Sequence, residues 1–246
     1  MDLKKYKGMP NSDVPIEIIE KLKTSGGITK TLFENKNDIL VNDNLHFDCG
    51  YSLMNDNYYL VSMYTEMPNA TKEMVAWWFW WHAQESERYQ TWYPGEHKSI
   101  SYAHKDKAYF SQKQTPKFQA NTQYPVEKVG SFAMPLSIDF VTPKEFGFDE
   151  DLMKDNNVEI IVCGHVGAFK GLVPNTEMSH IFFKKDNGLL LVSRFWLGKN
   201  VKNKFLEKLF VTEKQAKDMA YHCCVEYRNF SVKIPPMYHQ WLSENS

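Results

Sequence analysis

Charge of one sign is what this chain most clearly lacks. Its 29 Lys and Arg residues stand against 30 Asp and Glu over 246 residues, a formal net charge of −1. Charges of both signs are intermixed, so no basic face is offered to nucleic acid or to an anionic membrane. No apolar run approaches the ~20 residues needed to span a bilayer. The opening Met1-Asp2-Leu3-Lys4-Lys5-Tyr6-Lys7 lacks the apolar stretch of a secretory signal. Cysteine is scarce and unpatterned: Cys49, Cys163, Cys223 and Cys224 show no CxxC spacing, and the adjacent pair cannot readily bridge. Reduced thiols in a cytoplasmic protein are the expectation. There is no internal repeat, low-complexity segment, Gly-rich phosphate loop, GxSxG elbow or HExxH pair. A Cys-His hydrolase built on Cys163 lacks a nucleophile motif around that residue.

Aromatic residues are abundant instead, at 15%, and they are concentrated. Four of the seven tryptophans fall in Trp77-Trp78-Phe79-Trp80-Trp81, followed by His82, Glu85, Glu87, Arg88, Tyr89, Trp92, Glu96 and His97. Large rings make dry, rigid walls, and titratable groups beside such walls become metal ligands or proton carriers with shifted pKa values. The same cluster also suits a well-packed core corner.

Along the chain, Asp13 and Pro15 open a short helix that stops before Gly26-Gly27. Residues 57–64 have strand chemistry. Pro68-Asn69 precedes a helix carrying the tryptophans, capped by Asn69 or Thr71 and ending near Gln84 to Glu87. Strands are expected at 107–112, 136–141, 158–166, 179–184 and 189–196, with Asp186-Asn187-Gly188 making a type I′ hairpin turn. Thr212-Glu213-Lys214-Gln215 reads as a capping box. A helical period through Ala216, Met219, Ala220, Cys223, Tyr227 and Phe230 runs to about Asn229, before Pro235-Pro236. An antiparallel sheet followed by one long amphipathic helix is an α+β arrangement. Its economical packing is a helix-grip, a curved sheet around the helix with a cavity between. The expected division is an N-terminal extension or small subdomain at 1–55, a catalytic domain at 56–235 and a tail at 236–246.

His222 and Glu226 lie four residues apart, so their side chains leave the same helix face one turn apart. An inward His-x-x-x-Glu pair supplies nitrogen and oxygen ligands to zinc; a histidine hydrogen-bonded to a glutamate fits the same spacing. His97, after the Pro94-Gly95 turn, and His82, near a helix end, are equal candidates by residue type. Glu127, Asp139, Glu145 and Glu159 could each complete a site. His165 is bracketed by Gly164 and Gly167, which allow close approach of a ligand. His180 and Arg194 sit on opposite arms of the hairpin and could face one cavity. The alternative is an Arg194 paired with a surface acid and a His180 on an edge strand.

Taken together, Trp-Trp-His followed by Glu-Arg-Tyr-x-x-Trp-x-Pro-x-x-His (80–97), His-x-x-x-x-x-x-Asn-Gly leading to Ser-Arg-Phe-Trp-Leu-Gly (180–198) and His-x-x-x-Glu (222–226) resemble the 2,4-diacetylphloroglucinol hydrolase and phloretin hydrolase family. The resemblance covers roughly residues 55 to 230. It implies a Bet v 1-like helix-grip domain holding one Zn2+, a homodimer, and hydrolysis of the carbon–carbon bond joining an acyl group to a phloroglucinol ring. Carried over by spacing, the implied ligands are His97, Glu127, His222 and Glu226. His97 lies eight residues after Tyr89, which the family uses to contact substrate. The resemblance further implies a histidine in the sheet that assists proton delivery, His165 first by spacing and His180 second. Tyr89 and Arg194 would orient substrate oxygens, and the tryptophan cluster, Trp81 included, would wall the pocket. Departures stand at Ser99-Ile100-Ser101, where relatives carry a polar residue, and near His180, where a pocket tyrosine is replaced. An acylated phenol or a related β-dicarbonyl compound is the substrate class these residues suggest. The runner-up functions are a non-catalytic helix-grip protein that binds an aromatic or polyketide-like ligand, and a zinc esterase.

Overall fold

The computed structural model describes residues 1–169, 171 and 173–245. The N-terminal residues form four short helices, α1 (Leu3–Lys7), α2 (Ile16–Lys21), α3 (Asp38–Val41) and α4 (Asp43–His46), and then β1 (Gly50–Leu53) and β2 (Tyr59–Pro68). The middle of the chain holds α5 (Lys72–Trp81), α6 (Ser86–Trp92), β3 (His97–Ser99), α7 (Lys107–Phe110), β4 (Asn121–Gln123), β5 (Val126–Val129) and β6 (Phe132–Val141). After α8 (Pro143–Phe146) and α9 (Glu150–Asp155) come β7 (Val158–Ala168), β8 (Val173–Lys185), β9 (Gly188–Leu197), α10 (Lys204–Phe210) and α11 (Glu213–Asn245). All pairings are antiparallel, in the order β1-β2-β9-β8-β7-β6-β5-β3, with β4 against β6. The class is α+β.

Side chains alternate across a strand, so each long strand feeds two cores. On the inner face Val61, Met63, Phe182, Leu191 and Phe195 pack with α5 and α11. On the outer face Leu60, Ile161, Ile181, Val192 and Trp196 pack under Ile39, Leu40, Leu45 and Phe146. The N-terminal residues serve both sides, since Tyr6, Ile18 and Leu22 join the inner core.

Helix α5 begins where Thr71 accepts from the Met74 amide at 3.4 Å, and Asn69 turns the preceding corner with φ +64°. Seven of its ten residues are buried, as expected of a helix apolar all round. It ends at Trp81, followed by one 3-10 turn (His82–Gln84), and α6 is an additional helix that the sequence pattern does not announce.

Three expectations are corrected. Residues 107–112 are not a strand: Lys107–Phe110 is a helical turn that buries Tyr109 and Phe110 side by side, and the Tyr109 carbonyl accepts from Trp80 Nε1 at 3.1 Å. The 186–188 hairpin exists, but neither Asp186 nor Asn187 takes a positive φ, so the turn is not type I′. Gly188 alone does, at +126°, where a Cβ would come within 2.3 Å of the Met67 carbonyl oxygen. Finally, α11 does not stop near Asn229. It continues through Pro235 and Pro236 to Asn245, because Ile234 and Met237 are fully buried and Tyr238 and Trp241 pack 5.4 and 5.8 Å from the Trp77 ring. Tertiary packing there outweighs the two amide donors the prolines remove. At the start of α11 the expected capping box is formed: Gln215 N donates to Thr212 Oγ1 and Thr212 N to Gln215 Oε1, both at 3.2 Å.

Candidate metal centre and active site

Two non-local pairings build the site. His97 and Glu127 are direct partners across β3 and β5, so both side chains leave one face of that ladder. His222 and Glu226 project from one face of α11, which packs against β5 and α6. The ring nitrogens of His97 and His222 and a Glu226 carboxylate oxygen lie within 4.8 Å of one another, a group able to hold a metal ion. Glu127 closes the set from the side, with Oε2 4.0 Å from His222 Nε2.

The protonation pattern of this cluster follows from its hydrogen bonds. His97 Nδ1 donates to the Tyr89 carbonyl at 3.2 Å, which leaves Nε2 as a lone pair 3.2 Å from Glu226 Oε1. The Nε2 atoms of His97 and His222 are both buried and have no hydrogen-bond partner. Burial holds the two rings neutral, pulling His97 to about 4 and His222 to about 3. Burial also pushes the Glu226 carboxyl up to about 8 and raises Glu127. With both carboxyls ionised the two buried imidazole lone pairs face only other acceptors, and a cation between them would give all four groups a common partner. The donor set, two nitrogens and two oxygens, suits such an ion.

Tyr89, on α6, organises this corner. Its hydroxyl donates a short hydrogen bond to Glu127 Oε1, and its ring stacks on His97 at 4.0 Å and 7°. On its other side His82 stacks at 5.5 Å. Burial and the neighbouring carboxylates keep the phenol protonated as a donor, with its pKa well above the usual value. Trp92, one turn further along α6, donates from Nε1 to the Glu226 carbonyl at 2.8 Å and so ties α6 to α11.

The cluster lies at one side of a cavity of about 80 Å³ between sheet and helix. Its walls combine rings, Phe79, Trp92, Phe140, Phe195 and Tyr227 among them, with aliphatic side chains such as Ile100, Ile138 and Met178, and are interrupted by His82, Gln123 and His180. His180 is buried, its Nδ1 lies 2.9 Å from Ser193 Oγ, and burial pulls its pKa to about 3. The ring is therefore neutral at ordinary pH.

The structure thus brings together Tyr89, His97, Glu127, His180, His222 and Glu226, and it separates three other candidates. His165 faces the outer side of the sheet, its side chain 48% exposed, with Nδ1 2.6 Å from Glu177 Oε2. Arg194 also faces outward. It pairs with Ser179, one residue out of phase with His180, which pairs with Ser193. The buried guanidinium donates to the carbonyls of Ser193 and Leu45 rather than into the cavity. Trp81 stacks on Trp77 at 4.8 Å beneath the Arg88 guanidinium, and it does not line the cavity; Phe79 and His82 do. Gln123, Tyr227 and the Ser193 partner of His180 escaped the sequence reading. Counting the hairpin register outward from the turn would have found Ser193 opposite His180 and excluded Arg194.

Residues 31–239 match the family described as DAPG hydrolase PhiG domain. The chain belongs to this family. Among its relatives, the 2,4-diacetylphloroglucinol hydrolase of Pseudomonas protegens is 31% identical over 195 residues, covering 75% of this chain and 62% of the relative. A second 2,4-diacetylphloroglucinol hydrolase, from a Pseudomonas species, is 31% identical over 195 residues and covered to 65%. The chain therefore spans a little under two thirds of the length of these two DAPG hydrolases. The phloretin hydrolase of Eubacterium ramulus is 28% identical over 218 residues, covering 84% of this chain and 77% of the relative. A solved Mycobacterium smegmatis protein, Ms6760, aligns over 72% of this chain and 93% of its own with a TM-score of 0.36 and 10% identity, which carries neither fold nor function.

Proposed function

We propose that this member of the DAPG hydrolase family is a zinc-dependent hydrolase. It cleaves the carbon–carbon bond between an acyl group and a phloroglucinol-like ring, or the corresponding bond of a related β-dicarbonyl compound. The observation that carries the reading is the pair of buried, partnerless Nε2 atoms of His97 and His222 facing the Glu127 and Glu226 carboxylates at the edge of a ring-lined cavity. Those four residues would hold the ion. When bound, zinc supplies carbonyl polarisation and a water acidified toward neutral pH.

The chain's own residues do the rest. The ring walls exclude bulk water and hold the aromatic ring of the substrate. Tyr89 keeps Glu127 oriented by donating to Oε1. In the overall reaction water supplies OH to the acyl carbon, giving a carboxylic acid, while the ring carbon keeps the electron pair of the broken bond and takes up a proton. His180, neutral and lining the cavity, would take on its free ring nitrogen the proton that water loses as it gives OH to the acyl carbon and pass that proton to the ring carbon, with Ser193 fixing the other nitrogen. The reading requires nothing of His165, Arg194 or Trp81. A Bet v 1-like helix-grip arrangement, a homodimer and a cytoplasmic location complete the proposal; no helix among the described residues is long and apolar enough to cross a membrane.

The test has two parts. Purified chain is assayed for zinc, and acylphloroglucinols, β-diketones and aryl esters are incubated with it while phloroglucinol and carboxylic acid are followed chromatographically. Stoichiometric zinc that disappears in His222→Ala is expected, as is ketone cleavage. His180→Ala is expected to lower kcat about 10²-fold or more with zinc retained, and His165→Ala to change kcat little. Zinc-loaded protein that cleaves only esters sinks the carbon–carbon reading.

A further inference from the structure

A second cavity, of about 90 Å³, adjoins the first. The two share five lining residues, Glu127, Leu136, Val166, Thr176 and Met219. The linings differ in chemistry. The first chamber sets several aromatic rings among aliphatic side chains and carries His82, Gln123, His180, His222 and Glu226. The annex is lined by Val129, Phe132, Met134, Ala168, Leu197 and Phe210, with Gln215 as its added polar residue. That Gln215 side chain is already engaged, its Oε1 accepting from Thr212 and its Nε2 donating to the Leu209 carbonyl. The annex therefore offers burial and almost no unspent hydrogen bonding. Apolar groups gain there and polar ones do not.

The junction falls at the chemistry. Glu127 lines both chambers and lies 4.0 Å from His222. Along α11, Gln215, Met219, His222 and Glu226 follow one face, so the annex lies one to two turns, roughly 5–10 Å, from the ligand pair. A ketone carbonyl held at the cluster would have one substituent in each chamber. The first chamber, with its rings and scattered polar groups, suits a phenolic ring, and the annex suits a flexible hydrocarbon.

Building on the proposed function, we propose that the annex is the acyl-tail subsite. The preferred substrates of this chain are then aryl ketones whose acyl group is an apolar chain well beyond acetyl, and Met219 marks the boundary between ring and tail. Cleavage leaves the phenol in the inner chamber and the carboxylic acid, with its tail, in the annex. Phe132, at the tip of the β5–β6 hairpin and 81% exposed, gives the annex an apolar rim at the surface.

The test uses full-length, zinc-loaded protein and the acetyl, butanoyl, hexanoyl and octanoyl ketones of phloroglucinol. Dissociation constants are measured by tryptophan quenching and kcat/KM by product release. Affinity and kcat/KM are expected to rise by about three- to fourfold per methylene until the annex is filled. Met134→Trp, which fills the annex from β6, should flatten the series. Phe210→Ala, which widens it from α10, should move the optimum to a longer chain, and it carries the test alone if circular dichroism shows the first variant unfolded. A series that is flat or falls with chain length in the native protein overturns the subsite. Dissociation constants that fall with chain length without any ketone cleavage keep the subsite and sink the hydrolase reading.

Discussion

Tyr89 does three things at one place. Its hydroxyl donates to Glu127, its carbonyl accepts from His97 Nδ1, and its ring stacks on His97. Such supporting hydrogen bonds orient ligands and set their basicity. Tyr89→Phe keeps the stack and the carbonyl but removes the hydroxyl, so zinc affinity should fall by about 10- to 100-fold, read by competition with a chromophoric chelator. A change under threefold would show that Glu127 needs no such support. On the other face of the sheet, His165 and Glu177 form a pair with its own pH signature. The hydrogen bond to Glu177 raises His165. Burial raises Glu177, but its bonds from His165 and Asn200 prevail and the carboxyl ends below its usual value. A raised histidine stabilises below its unfolded pKa and loses this as pH rises through the folded value; a depressed carboxylate does the reverse. The pair therefore contributes most between the ordinary glutamate and histidine pKa values, about 4.5 to 6.5. Because His165 is half exposed, His165→Gln should cost under about 1 kcal/mol near pH 5.5 and less near pH 8.5. Urea titrations at the two values check it, and equal losses would refute the pair.

Helix α11 carries His222 and Glu226 and also breaks the usual rule for helix interiors. Pro236 is exposed, and its ring removes the amide that would bond the Val232 carbonyl. Pro236→Ala should therefore stabilise the protein by about 2 kcal/mol, the ~3 kcal/mol helix penalty less the gain in unfolded-chain entropy. A thermal scan that shows a lower melting temperature would mean the ring packs in a way its exposure hides. The same helix shows what can be read locally. Its capping box and the four-residue spacing of His222 and Glu226 are visible in the sequence, because both depend only on helical geometry. Its last four turns are not, because they exist through contact with Trp77, more than a hundred residues earlier. The hairpin makes the complementary point. Its turn is legible, but the opposite facing of His180 and Arg194 follows from a register with two residues in the turn and none to spare.

At the scale of the molecule the centre joins β3, β5 and α11, so metal occupancy should report on the whole fold. Chelation is expected to remove about 4 kcal/mol at a zinc concentration a thousandfold above its dissociation constant. For a chain of this size that lowers the melting temperature by roughly 10 °C. Differential scanning calorimetry with and without chelator measures it, and an unchanged melting temperature would argue that no tightly bound ion bridges these elements.

By itself the sequence determined the class of fold, the five long strands, the tryptophan helix with a cap at Asn69 or Thr71, and the spacing that puts His222 and Glu226 on one helix face. All of these rest on short-range geometry, the periods of strand and helix. The tertiary structure alone decided which distant groups meet. It set Glu127, which the family resemblance names but no local pattern singles out, opposite His97 through a three-residue strand, turned His165 and Arg194 to the far face, and gave the cavity its second chamber. Which of several equal carboxylates or histidines faces a site depends on strand register and on packing between remote segments, and no local period encodes either.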